Sequence, residues 1–115
     1  MMKNTQILEN VMLDLGHDFR CIGTDFLMQA AGLYEPGMRL TKELYPALAL
    51  ANDTTAGAVE RAMRHSIDKA WTDRCSLDSR SIWFGNSINP ETGRPTPGEY
   101  VARLARIIRQ AEGHE

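Results

Sequence analysis

The chain has 115 residues, of which 43% are hydrophobic, and carries 13 Lys and Arg against 15 Asp and Glu for a formal charge of −2. That length and apolar content suit one domain with a real core, residues 1–115, and exclude a disordered chain. A negative balance excludes the non-specific wrapping of nucleic acid that needs a strongly basic surface, and the split of −3 over residues 1–53 and +1 over residues 54–115 allows only a local basic patch.

The first predicted helix is NTQILENVMLDLG, in which Ile7, Leu8, Val11, Met12 and Leu15 recur at three- and four-residue steps and Gly16 supplies a C-terminal cap. After HDFRCI, the segment GTDFLMQAAGLYE offers Thr24 as an N-cap and a second stripe of Phe26, Leu27, Ala30, Ala31 and Tyr34, ended by EPGM. Thr41 opens a third helix, TKELYPALALAND. Pro46, about one turn inside it, removes an amide donor and kinks or delays the regular helix. Asn52 and Asp53 close it with turn chemistry. A short ANDTT connection leads to the fourth helix, TTAGAVERAMRHSIDKAW, residues 54–71. Two helices joined so tightly form the unit on which helix-turn-helix readers are built, although any helical bundle contains such corners.

A short fifth helix covers SLDSRSIWF and ends at Gly85, and NSINPETGRPTP reads as an ordered surface loop. Thr96, Pro97 and Glu99 make a strong start signal for the sixth helix: an N-cap hydroxyl, a proline at the first helical position and a carboxylate that bonds back to the cap amide. Its buried stripe is Tyr100 or Val101, Leu104, Ile107 and Ile108. Nothing alternates like a strand, so the fold class is all-α, a compact six-helix domain.

The fourth helix is two-faced. At about 100° per residue, Val59, Ala62, Met63, Ser66, Ile67, Ala70 and Trp71 share one side, and Gly57, Glu60, Arg61, Arg64, His65 and Asp68 the other. Arg61 or Arg64 presents a planar fork that matches the two major-groove acceptors of guanine, and Glu60 beside them accepts from the cytosine amino group, which together suit a C·G step. Thr54 and Thr55 at the helix start offer amides to a phosphate oxygen. The same face fits a second reading. Glu60 and Arg64 are an i, i+4 pair, as on an ordinary solvated helix, and periodicity does not separate the two.

Other chemistries find no support in the sequence. Cys21 and Cys75 lie far apart with no C-x-x-C, which indicates reduced thiols and neither a disulfide framework nor a zinc site. His17, His65 and His114 have no metal-ligand spacing, no nucleophile signature surrounds the cysteines, and no glycine-rich phosphate loop occurs, so neither an enzyme nor a cofactor is expected. No leader and no apolar run long enough to span a bilayer is present, and a cytoplasmic location is expected. Trp71, Trp83 and Phe84 read as core residues ahead of stacking platforms, and Arg103, Arg106 and Arg109 suit a solvated face at the negative end of a helix dipole.

TTAGAVERAMRHSIDKAW, with LYPALA before it and IWFGNS and RPTPGEYVARLA after it, closely resembles the C-terminal effector domain of the stage zero sporulation response regulator of endospore-forming bacteria. The family's corresponding run reads TTASRVERAIRHAIEVAW. The likeness covers nearly the whole chain, including ILENVMLDLG and GTDFLMQAA, and is strongest from Leu44 to Trp71. It implies a six-helix, winged-helix-like effector domain with a helix-turn-helix at about residues 41–72, its second helix at 55–72 entering the major groove of double-stranded DNA at a box with a TGTCGAA-like core. By position it assigns Glu60, Arg61, Arg64 and His65 to base reading. Arg94, in a loop that is basic in the family, and Lys42, near the start of the third helix, become phosphate candidates.

Two departures accompany the resemblance. The family has Ser-Arg where this chain has Gly57 and Ala58, which removes one basic side chain and lowers local helix stability by roughly 1 kcal/mol. The family's regulator also carries a phosphorylated receiver domain ahead of the effector domain, whereas this sequence starts almost at the effector, so a stand-alone domain is expected. Two functions follow from these observations. In one, the chain reads DNA as a transcription regulator, with tandem binding or a homodimer replacing receiver-driven pairing. In the other it is an interaction module that engages the full-length regulator or the sigma subunit of RNA polymerase.

Overall fold

Two helix ends in this chain, near Gly16 and Asp53, turn on a residue with left-handed backbone. In the computed structural model, which describes residues 4–85 and 93–112, helix α1 spans Asn4–Asp14. It closes in a Schellman turn, with the Gly16 amide on the Leu13 carbonyl and the His17 amide on that of Met12, both at 3.0 Å. Gly16 has φ +87°, and a Cβ there would lie 2.7 Å from Cβ of Arg74, so both conformation and space demand glycine.

Five further helices follow among the described residues: α2 Ile22–Leu33, α3 Tyr45–Ala51, α4 Ala56–Lys69, α5 Leu77–Phe84 and α6 Pro97–Glu112, with no strand. Single π-helical turns at Leu40–Leu44 and Ala70–Arg74 precede α3 and follow α4. The predicted capping box of α6 is present: the Thr96 amide donates to Glu99 Oε1 at 2.8 Å and the Glu99 amide to Thr96 Oγ1 at 3.2 Å. Ser76 caps α5 through the Ser79 amide, and Gly85, at φ +59°, ends it.

Burial follows the predicted stripes. Leu8, Val11, Met12 and Leu15 of the α1 region, Phe26, Leu27, Ala30 and Ala31 of α2, and Tyr100, Val101, Leu104, Ile107 and Ile108 of α6 all join one core. Helix α4 lies across α2, α3 and α6 and contributes Val59, Met63 and Ile67 to that core. Trp71 sits edge-on to Phe84 at 5.2 Å between ring centroids, with the Arg80 guanidinium over its indole at 4.9 Å. Cys21 and Cys75 are free thiols.

Several local expectations change. Thr24 is not the N-cap of α2. Helix formation starts three residues earlier, with Cys21 in the cap position and no side-chain bond there, and Thr24 is fully buried against α4. The third helix does not begin regularly at Thr41. Residues 40–44 form the wider π turn, and Pro46 falls in the first turn of α3, where a missing amide costs nothing. Trp83 is only half-buried and donates its indole N–H to Asp14, so it belongs to the rim of the core. Of the loop read from NSINPETGRPTP, residues 86–92 lie outside the described part.

A polar chain runs through this apolar interior. Thr24 Oγ1 and Ser66 Oγ are 2.9 Å apart, Ser66 Oγ is 2.9 Å from His17 Nδ1, and His17 Nε2 is 2.6 Å from the Tyr100 hydroxyl. The four residues are buried and come from α2, α4, the α1–α2 connection and α6. Burial keeps the Tyr100 phenol protonated, and each tautomer of the neutral His17 ring gives one consistent direction of donation along the chain, from Tyr100 toward Thr24 or from Thr24 toward Tyr100. Burial also lowers the His17 pKa from 6.5 to about 4. Between those values the unfolded chain binds a proton that the folded chain refuses, so stability is full above about pH 6.5 and falls as pH drops toward 4. The loss amounts to about 3 kcal/mol. Asp18, held down to about 2 by hydrogen bonds from Arg20, titrates below that window. Urea midpoints measured across the window are expected to fall steeply for the wild type and to stay nearly flat for His17→Gln.

Candidate nucleic-acid interface

The exposed face of α4 is positioned from its first residue. The α3–α4 corner is a second Schellman turn, with the Asp53 amide reaching the Leu50 carbonyl at 3.4 Å and the Thr54 amide reaching that of Ala49 at 2.9 Å. Asp53 takes φ +54° in place of a glycine, a conformation that Asp tolerates better than most residues. Asn52 donates its side-chain amide to the Leu48 carbonyl at 2.8 Å and exchanges hydrogen bonds with Gln29 of α2, which fastens the corner to the rest of the domain. Thr55 then caps α4, its Oγ1 accepting from the Ala58 amide at 3.1 Å.

This arrangement refines the anion-binding expectation. The Thr54 amide is occupied by Ala49 and the Ala58 amide by the Thr55 side chain, so the first-turn amides left over are those of Ala56 and Gly57.

Along the helix, Arg64 Nη2 donates to Glu60 Oε2 at 3.0 Å in the i, i+4 pair that the spacing anticipates. Both side chains remain about half exposed, 52% for Arg64 and 43% for Glu60. Such a pair contributes little to stability but narrows the directions in which each group points. Tyr45 of α3 is buried close enough for both to be felt: burial and the Glu60 charge push its phenol pKa up, and Arg64 partly offsets them. Arg61 and His65 are exposed and, among the described residues, make no hydrogen bond or ion pair. The Arg61 guanidinium lies back over the first turn, 3.4 Å from where a Cβ on residue 57 would stand.

Arg94, 3.4 Å from Asp68, is tied to the far end of the same face. The neighbouring Gly93 carbonyl accepts from Trp71 Nε1 at 2.9 Å, so the chain before Arg94 is fixed to the residue just beyond α4. Lys42 is exposed on the π turn ahead of α3. Arg103 and Arg109 are engaged with the Trp83 and Tyr34 carbonyls, which accounts for them structurally. Among the described residues no three His, Cys, Asp or Glu side chains gather as a metal site, and no helix is long and apolar enough to cross a membrane.

The family described as sporulation initiation factor Spo0A C terminal matches residues 8–108, which include the capped α3–α4 corner and all of α4. The chain belongs to that family. The Spo0A C-terminal domain binds DNA as a transcription-activator domain and is not an enzyme, and the helix-turn-helix is implied by membership of it. Among the described residues the architecture is all-α with six helices.

Sequence reasoning did not assign the residues that hold α4 from behind. In the sequence His17 reads only as a non-ligand and Thr24 only as a cap, and the helical period puts Ser66 on the buried side without naming a partner. Gly23, where a Cβ would meet the Ala62 carbonyl oxygen at 2.0 Å, carried no marked signal. A glycine and two hydroxyls at positions that face another helix are the available clue to close backbone approach.

Gly57 presents the opposite case. A Cβ there meets only the flexible tip of Arg61, so the residue brings helix cost without a packing reason. Gly57→Ala is expected to stabilise the domain by up to about 1 kcal/mol, readable as a raised melting temperature.

Proposed function

We propose that this chain is a sequence-specific reader of double-stranded DNA acting in transcription. Residues 41–72 serve as its helix-turn-helix and α4, within 55–72, as the helix that enters the major groove. The observation that carries this reading is the division of α4. One side is locked into the core through Val59, Met63, Ser66 and Ile67, and the other presents Arg61 unpaired beside the oriented Glu60–Arg64 pair.

In this reading Arg61 or Arg64 donates its fork to guanine and Glu60 accepts from the cytosine of the same step. That chemistry suits the C·G step in a TGTCGAA-like core. His65 extends the reading face. Thr54, Thr55 and the first-turn amides hold one phosphate, and Lys42 and Arg94 hold others. Arg94 is released from Asp68 to do so. Few phosphate contacts and a chain charge of −2 mean modest affinity for one domain, so two domains on tandem boxes, or a dimer, supply the occupancy a promoter requires.

Fluorescence anisotropy with box-containing and scrambled duplexes over a salt series tests the reading. Preference for the box with a steep salt slope supports it, while equal binding to both duplexes removes the base-reading roles. No binding to either at modest salt leaves the interaction module, engaging the full-length regulator or the sigma subunit of RNA polymerase, as the function. Arg61→Ala is expected to reduce discrimination by about 1–3 kcal/mol with little change on scrambled DNA. Lys42→Ala is expected to weaken both duplexes alike and lower the salt slope by about 1.

A further inference from the structure

The residues that set how α4 is rolled and how deeply it stands are buried behind it, and they come from other helices. Gly23, in the first turn of α2, lets the two backbones touch: a Cβ would stand 2.0 Å from the Ala62 carbonyl oxygen and 2.9 Å from Ser66 Cβ. Neither neighbour is a flexible tip that can swing away. One turn further along α4, Ser66 is held from two directions, by Thr24 of α2 and by His17, itself fixed by Tyr100 of α6. Backbone contact sets the separation of α2 and α4, and directional hydrogen bonds on both sides of one hydroxyl set the rotation. The family's run TTASRVERAIRHAIEVAW has Ala opposite Ser66, so this hydrogen-bonded setting of the rotation is a device of this chain, added to the side-chain packing that orients any buried helix.

We propose that Gly23 and the Thr24–Ser66–His17–Tyr100 chain are specificity-determining positioning residues, which fix the roll of α4 and thereby the aim of Arg61 and Arg64 without touching DNA. The inference rests on the DNA-reading function proposed above. A roll of about 10° moves a side-chain tip 5–6 Å from the helix axis by about 1 Å, whereas a recognition site must be held to about 0.5 Å. Phosphate contacts, carried by long flexible side chains and by charge, tolerate that displacement. The predicted signature is therefore loss of base discrimination with non-specific binding retained.

The test measures the ratio of affinities for box and scrambled duplexes in Ser66→Ala, Thr24→Val and Gly23→Ala, with melting temperatures for each. Val11→Ala, a core truncation in α1, serves as a control for stability loss. Ser66→Ala and Thr24→Val are expected to lower the ratio by about tenfold or more while scrambled-duplex affinity and its salt slope stay within about twofold. Gly23→Ala is expected to lower the ratio furthest among variants that remain folded. Thr24→Ser, which keeps the hydroxyl, is expected to recover most of what Thr24→Val loses. An unchanged ratio in Ser66→Ala and Thr24→Val, with the wild type still selective, overturns the positioning role and leaves the DNA-reading function intact. An equal drop in Val11→Ala at matched melting temperature also overturns it. A wild type without box preference overturns both.

Discussion

A neutral imidazole with both nitrogens engaged sits where the α1–α2 connection, α2, α4 and α6 meet, and much of the domain follows from keeping it satisfied. A buried polar group left unpaired costs more than the hydrogen bond it replaces contributes, so such a chain permits few alternative arrangements of the surrounding helices. Ser66 is its pivot, since its one hydroxyl faces both His17 and Thr24. The Schellman turn at Gly16 delivers His17 to that position, and the tight space beside Arg74 explains why no larger residue can make the turn. The aromatic group of Trp71, Phe84 and Tyr100 continues the restraint toward the far end of α4.

The exposed side of α4 gains from this rigidity. An acidic domain cannot hold DNA by charge surplus, and a few well-aimed donors must replace what a basic surface supplies by number. The Glu60–Arg64 pair fits that economy, because it limits where the Arg64 fork points before any partner arrives. In the proposed reading the pair also has a cost, since Arg64 would share or surrender Glu60 to reach a base. Arg61, lying back over Gly57, has no such bond to give up. The two arginines therefore start from different states on one helix face.

Much of the fold was legible because it rests on local rules. Apolar periodicity located the stripes of α1, α2, α4 and α6, and the Thr96–Glu99 capping box and the Gly16 and Gly85 stops needed only short-range chemistry. What escaped depends on contacts between distant segments. Thr24 looked like a cap because hydroxyls favour helix starts, yet its partner lies 42 positions away on α4. His17 reaches across 49 positions to Ser66 and 83 to Tyr100, distances that no pattern on a single helix reports. The candidate site divides likewise. Which residues of α4 face outward follows from its period, whereas the occupied amide of Thr54 and the tether of Arg94 to Asp68 belong to the folded chain.

The left-handed backbone at Asp53 has a consequence for how such a domain can change over generations. Residues that accept this conformation readily are Gly, Asn and Asp itself, and a single nucleotide change in an aspartate codon yields either of the other two. Both substitutions keep the corner's shape while removing one negative charge from the entrance to α4. The turn is thus a point where drift in the coding sequence can adjust electrostatics without redrawing geometry, and β-branched residues, for which the conformation is strained, are the ones selection has to refuse.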